Sequence, residues 1–452
     1  MTRRGFVGAA AALAIGRRLR AAADTDPAKE MAAVLARIKA PVFPNRVFDI
    51  TKYGAKQGKS NDSSTAIRKA MEACAAAGGG RVVVPAGDFV TGAVHLKSKV
   101  NLHLEAGATL FFSTDPKQYP IVHTRFEGTE VMNYSPFIYC WEQTDIALTG
   151  PGMLDGQADQ DHWWNWTRQA ARAELVSMAD KDVPVEQRVF GEGKFLRPNF
   201  FQPYRSKNIL VEGVSIRNSP MWELNPVLCQ NITVRGVKIS SHGPNNDGCD
   251  PESSKDVLVE QCVFDTGDDC IAIKSGRNRD GRRIHVPAEN IIVRDCTMKD
   301  GHGGVSLGSE GSGGIRNIFV DKCRMDSPHL NYAMRIKTNT WRGGVTENVY
   351  FTNTTVGEVS DSVLDVTYFY PENQDREGRG GPFEPVIRNV TLDHITAQKS
   401  KRAVTLRGYE QWPVREIRLL NCSFNNVAEA DTIEHVEGLK IVGTTRNGKP
   451  MA

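Results

Sequence analysis

The sequence predicts an all-β fold: a single-stranded right-handed parallel β-helix whose N-terminal end is covered by a short helix. Three observations lead there. A nine-residue frame recurs along most of the chain. Its apolar positions have the spacing of short strands and bends. One segment near the start has helical spacing instead.

The frame is N-φ-x-φ-x-x-φ-x-φ, with φ apolar. It reads NILVEGVSI from Asn208, NITVRGVKI from Asn231, DVLVEQCVF from Asp256, NIIVRDCTM from Asn290 and NIFVDKCRM from Asn317. It continues more loosely as NVYFTNTTV, NVTLDHITA and EIRLLNCSF from Asn348, Asn389 and Glu416. Successive frames are 23 to 41 residues apart, and the extra length falls between them. The first two apolar positions are two apart, as on one face of a strand. The offset to the third and fourth marks a bend into a second strand. A unit this small cannot bury its apolar face alone, but stacked copies share one continuous core. Cys262, Cys296, Cys323 and Cys422 take the third apolar position, as Val214, Val237 and Ile395 do in other frames. They read as small core residues. The nine Cys are odd in number and include no C-x-x-C pair, so no metal site is expected.

The start of the chain differs. Residues 64–77, STAIRKAMEACAAA, place Ile67, Ala70, Met71 and Cys74 on one helical face, with Ser63 or Ser64 as the N-cap and Gly78–Gly80 as the stop. This helix can cover the open end of the solenoid. Length alone, 452 residues, would suggest several domains. The repeat reduces them to one, residues 40–446, with an irregular Trp-rich insert at about 156–200 holding Trp163, Trp164 and Trp166. Residues 1–30 read as an export signal and leader. Arg3-Arg4 precede a short apolar stretch and the small residues Ala21–Ala23, in a layout that resembles a bacterial twin-arginine signal. A periplasmic or extracellular protein is expected. The net charge of +3 gives no support to a nucleic-acid or membrane partner, and a monomer is expected.

Residues 265–270 read DTGDDC and crowd Asp265, Asp268 and Asp269 against the apolar run IAI. A polar turn explains such a segment when it stands alone. The repeat supplies a ruler that changes this reading. Asp268 and Asp269 lie 12 and 13 residues after their frame start, Asp247 lies 16 after its own, and His302 lies 12 after its own. Three consecutive coils therefore bring the acids and the imidazole onto one face. The next coil supplies Arg335 and Lys337, two apart on a strand and so on one side of it. Clustered carboxylates push their pKa values apart, leaving one as an acid and another as a base. Hydrolysis of a glycosidic bond requires that pairing.

NNDG, GDDC, GHGG and RIK occur in that order, and this set resembles the four signature segments of glycoside hydrolase family 28, the polygalacturonases. FDITKYGAKQG, GGGRVVVPAGDF and LHLEAGATL resemble the family's N-terminal part. The resemblance implies a pectin-lyase-like β-helix. It also implies inverting hydrolysis of α-1,4 links between galacturonic acid residues of pectin, with no metal or cofactor. By motif, Asp268 would be the general acid, Asp247 and Asp269 would hold and activate water, and His302 would govern the acid's protonation. Arg335 and Lys337 would bind the substrate carboxylate, with Asn245 as a further contact and Tyr368 or Tyr370 as the substrate tyrosine. Asn246 stands where the family often has Thr. The run KSGRNRDGRR resembles exo-acting bacterial members. Its Arg277, Arg282 and Arg283 would bind a second uronate or a chain end, and the insert would block one end of the groove. The alternatives are a hydrolase of rhamnogalacturonan or xylogalacturonan, a calcium-dependent pectate lyase, and a non-catalytic β-helix that binds polysaccharide.

Overall fold

The computed structural model describes residues 26–451 except Arg168 and Asn373, so the expected signal within residues 1–25 lies outside the described residues. The chain winds as a right-handed parallel β-helix. Each coil passes through three sheets. Sheet 1 has 14 strands and sheet 2 has 13. Sheet 3 has six strands, from Ile271–Ile273 to Thr432–Glu434. Parallel bridges Phe201↔Leu224, Leu224↔Cys249 and Cys249↔Ile271 extend it back to Phe201–Tyr204, Ile138–Trp141 and Val94–His95.

The frame's apolar positions become columns of the core. Ile209, Ile232, Val257, Ile291, Ile318, Val349, Val390 and Ile417 pair in register along sheet 1. All are buried, and each such side chain contributes about 1.5–3 kcal/mol relative to exposure. Ile216, Ile239, Phe264, Met298 and Met325 form the matching column of sheet 2. The nine cysteines are all buried and free. The Cys262 thiol donates to Glu260 O at 3.2 Å, and Cys422 to Leu420 O at 3.1 Å. A polar hydrogen therefore needs no partner beyond its own coil.

The frame's first residue has a separate physical origin. Asn208, Asn231, Asp256, Asn290, Asn317, Asn348 and Asn389 all have φ between 54° and 58°, the left-handed region that Asn tolerates best after Gly. Their side chains form a ladder. Asn231 Nδ2 donates to Asn208 Oδ1 at 2.7 Å, Asn317 to Asn290 at 3.0 Å, Asn348 to Asn317 at 3.0 Å, and Asn389 to Asn348 at 2.7 Å.

Two helices close the body. Helix α1, Pro27–Arg37, packs Val34 and Ile38 onto Leu258, Ile292, Phe319 and Tyr350 on the outside of sheet 1. The folded body thus extends N-terminal of the expected residue 40. Helix α2, Ser64–Ala76, buries Ile67, Ala70, Met71 and Cys74, as the spacing predicts. Its cap differs from expectation. The Ser63 side chain makes no cap bond, and Asp62 Oδ1 takes the Ser64 N–H at 2.9 Å. Ser64 Oγ is engaged by the Gly92 N–H at 2.7 Å.

Two excursions leave the solenoid on the turns from sheet 2 to sheet 3. One is the hairpin Ile121–Phe126/Thr129–Tyr134. The other is the insert, which contains helix α3, Gln169–Asp180. Trp163 is buried and stacks edge-on with Trp166, at 4.9 Å between centroids. Trp164 Nε1 donates to Ser219 O at 2.8 Å, and its ring lies where a Cβ on Gly243 would fall.

Candidate active site

The rim between sheets 2 and 3 carries the predicted acids. Cys249, Ile271 and Val305 pair as neighbours across sheet 3. Asp247, Asp269 and Gly303 each stand two residues earlier, and so at one level of three successive coils. Gly303 keeps this level open, because a Cβ there would lie 2.8 Å from Asp269 Oδ1. Asp247, Asp268 and Asp269 offer oxygens that lie within 4.8 Å of one another. The same spacing would suit a cation, but two of the three carboxylates already face a lysine. Lys337 Nζ donates to Asp269 Oδ2 at 2.7 Å, and Lys274 Nζ lies 3.4 Å from Asp247 Oδ2.

The three acids have different surroundings. Asp247 and Asp269 are buried, with side chains 3% and 1% exposed, whereas that of Asp268 is 19% exposed and reaches the groove. Burial first, then the charges of Asp250 and Asp268, push the Asp247 carboxyl well above its ordinary value. Burial would also raise Asp268, but the His302 bond and the charge of Lys337 outweigh it and hold this carboxyl low. His302 Nδ1 lies 2.9 Å from Asp268 Oδ1, and that bond raises the imidazole despite partial burial. Asp269 Oδ1 accepts from Ser306 Oγ at 2.7 Å.

Arg335 and Lys337 lie on the strand Leu330–Lys337, paired with Ser306 and Gly308 of the His302 strand, Gly301–Gly308. Arg335 Nε donates to Asp365 Oδ2 at 3.0 Å. Burial pushes the Asp365 carboxyl up to about 6 against the pull of Arg335. Beyond Arg335, sheet 3 continues as an open groove lined by Tyr332, Asp365, Phe369, Arg402 and Arg407.

Several residues sit elsewhere than the sequence reading expected. Tyr368 is wholly buried, its hydroxyl accepting the Ile387 N–H at 2.8 Å. It is Tyr370 that faces the cations, with its ring centre 5.5 Å from Lys337 Nζ and 5.9 Å from Arg335 Cζ. Arg277 is buried between Glu127 and Glu372, at 2.9 and 2.6 Å. Arg283 is committed to Glu130 at 2.6 Å and to Asp280 at 3.3 Å. Arg282 donates to Trp341 O at 3.0 Å and stacks over Phe383. Arg277 is thus held inside the scaffold, whereas the paired Arg283 keeps a side chain that is 43% exposed. Asn245 is half-buried, and its Oδ1 accepts from Arg197 Nη2 at 2.6 Å. Asn246 is fully buried and ties the turn together. It accepts from Ser241 Oγ and Gly243 N–H at 2.7 Å each and donates to Ser219 O and Met221 O.

Sequence reasoning missed the layer beneath the acids. Lys274, 4% exposed, lies 3.4 Å from Asp247, 3.6 Å from Asp250 and 3.4 Å from Glu310, with the Trp222 ring centre at 4.4 Å. The charges of Asp250, Asp247 and Glu310 outweigh its burial and raise the ammonium well above its ordinary pKa. The signal was a lone lysine closing the apolar run IAIK, where a buried charge requires partners.

Comparison with known proteins places this geometry. The family profile described as Glycosyl hydrolases family 28 matches residues 74–444. The crystal structure of a hyperthermoactive exopolygalacturonase from Thermotoga maritima superposes with a TM-score of 0.90 at 40% identity, covering 94% of this chain and 97% of that one. An exo-poly-alpha-D-galacturonosidase of Dickeya chrysanthemi is 26% identical over 80% of this chain and 64% of its own length. An endo-polygalacturonase of Pectobacterium carotovorum is 29% identical over 80% of this chain and 84% of its own. Among the described residues no helix is long and apolar enough to cross a membrane.

Proposed function

This chain belongs to glycosyl hydrolases family 28 and is a polygalacturonase acting on galacturonan, and from that premise we propose that it releases units from chain ends by an inverting mechanism centred on Asp268. The observation that carries the mechanism is the difference among the three acids. Two are buried and one opens to the groove on an imidazole.

Asp268 and His302 share one proton. In the open site it rests on the imidazole as an ion pair. A sugar filling the groove removes water from both groups, and desolvation favours the neutral arrangement with the proton on Asp268. Asp268 then gives that proton to the glycosidic oxygen as the bond from the anomeric carbon to that oxygen breaks. A water held between Asp247 and Asp269 attacks the same carbon from the opposite face, and its proton passes to that carboxylate pair. Arg335 and Lys337 hold the uronate carboxylate, with Tyr370 beside them. A charge-assisted, fork-shaped contact of this kind favours a uronic acid over a neutral sugar.

Chain-end action is supported by the hairpin and the insert. Both leave on the Asp247 flank of sheet 3 and stand N-terminal of the acids, whereas the groove continues beyond Arg335. The chain is proposed to act as a monomer after export. Chromatography of the products from polygalacturonate, for wild type and Asp268→Asn, tests the assignment. Early mono- or digalacturonate and an inactive variant support it. Early mixed oligomers refute the chain-end mode, and an active variant refutes the acid.

A further inference from the structure

We propose that Arg277 is a specificity-determining keystone, locking the hairpin Ile121–Phe126/Thr129–Tyr134 as a strap across the groove so that only a chain end reaches Asp268. This rests on the chain-end reading above and names the contact that enforces it.

The topology shows that the strap crosses the sheet. The hairpin emerges between the sheet 2 strand Ala108–Phe112 and the sheet 3 strand Ile138–Trp141. It therefore starts on the flank that carries Asp247 and Asp268. Arg277 follows the sheet 3 strand Ile271–Ile273 and lies on the opposite flank, where the chain heads for sheet 1. Contact between the hairpin tip and Arg277 requires the hairpin to span sheet 3.

That contact is built from both backbone and side chain. The tip is the two-residue turn Glu127-Gly128, with φ of 44° and 78°, as in the tight turns that suit twisted hairpins. The Arg277 N–H donates to Gly128 O at 3.0 Å. A Cβ on Gly128 would fall 2.7 Å from that nitrogen, so the approach requires glycine. Arg277 Nη1 donates to Glu127 Oε2 at 2.9 Å, and Nη2 donates to Glu372 Oε1 at 2.6 Å. Glu372 lies two residues after Tyr370, in the loop that walls the site on the Arg277 flank. One buried guanidinium thus joins the strap to the far wall. Along the hairpin, Arg125 meets Glu252 on the sheet face at 2.9 Å, with both side chains fully buried. The Glu130 N–H donates to Asp280 at 2.9 Å.

Buried ion pairs add little net stability compared with apolar packing, but removing one partner is costly. Such a joint fixes geometry. A polymer entering from the Arg335 side therefore meets a fixed barrier at the acid coil.

The test compares wild type, Glu127→Ala, Arg277→Met and Arg277→Lys on polygalacturonate. It measures viscosity loss per reducing end released, together with the melting temperature. Glu127 is partly exposed, so its variant decides the matter if Arg277→Met fails to fold. Loss of a buried charged contact should raise viscosity loss per cut by at least about tenfold. Turnover of trigalacturonate by Glu127→Ala should stay within about threefold of wild type, and Arg277→Lys should keep most of the wild-type pattern. Folded Glu127→Ala and Arg277→Met that melt earlier but keep chain-end products would overturn the keystone alone. A wild type that itself yields mixed oligomers at once would overturn the chain-end reading, and the keystone with it.

Discussion

Replacing Lys274 with methionine removes the only positive charge placed within 4 Å of both Asp247 and Asp250 among the described residues. The unbranched stem is preserved, so the loss is that of the ammonium, with its three carboxylate partners and its place over the Trp222 ring. Breaking a buried ion pair by deleting one partner costs about 3–5 kcal/mol. Glu310 keeps Arg342 at 3.8 Å, which places the expected loss near the lower end at neutral pH. The loss must depend on pH. In the wild type, burial alone would raise the Glu310 carboxyl, but Lys274, Arg342 and Arg277 hold it far below its ordinary value. A depressed carboxyl contributes stability above its unfolded pKa and loses it as pH falls. Asp247 and Asp250 are raised by burial, and Lys274 opposes that rise in both. Without the lysine all three carboxyls bind protons more tightly in the folded state and must be protonated to stay buried. Each tenfold gain in a carboxylate's proton affinity costs about 1.4 kcal/mol at neutral pH and nothing once the group is protonated in both states. Urea unfolding of wild type and Lys274→Met at pH 7.5 and pH 4.5 should therefore show a loss of about 3 kcal/mol at the higher pH and a clearly smaller one at the lower. An equal loss at both values, or a larger one at pH 4.5, would refute the electrostatic role.

Other expectations concern catalysis. His302→Gln should lower kcat and move the alkaline limb of the pH profile down. The raised imidazole keeps the shared proton in place until pH passes its folded pKa, and glutamine cannot; an unmoved limb would separate His302 from the acid. Arg335→Ala should raise KM for oligogalacturonates by about 10- to 100-fold, the range of a charged hydrogen bond, with a smaller change in kcat. Asp365 competes with the substrate for Arg335 and titrates at about 6, so KM should fall as pH drops through that value and Asp365 loses its charge. Asp365→Asn should flatten this dependence, and a KM that still varies would assign it to another group.

Much of the architecture was legible because a stacked solenoid repeats its core. Alternation of Ile209 and Val211, followed by Val214 and Ile216, already specifies two strands and a bend. The same ruler brought Asp247, Asp268, Asp269 and His302 together from segments 55 residues apart at the extremes. It failed where the chain leaves the coil. The strand Ser362–Thr367 ends before Tyr368, so alternation no longer governs which tyrosine faces the groove. Arg277 and Arg283 appeared available because a sequence does not display the partners of a cation. Those partners, Glu127 and Glu130 on the hairpin and Glu372, lie 95 to 153 residues away along the chain. The frame's leading Asn was visible without its cause, which is a left-handed backbone position joined to a side-chain ladder between coils. Lys274 showed its burial in the sequence but not its counter-charges, since Glu310 lies on another coil.

The most direct test of the central claim is the stereochemistry of the first product. Hydrolysis of trigalacturonate should be followed by proton NMR, fast enough to precede mutarotation. Attack by a water held between Asp247 and Asp269, opposite an acid at Asp268, predicts that the new reducing end appears first as the β anomer. An α anomer at first appearance would mean a covalent intermediate on one of these carboxylates, and would contradict the account.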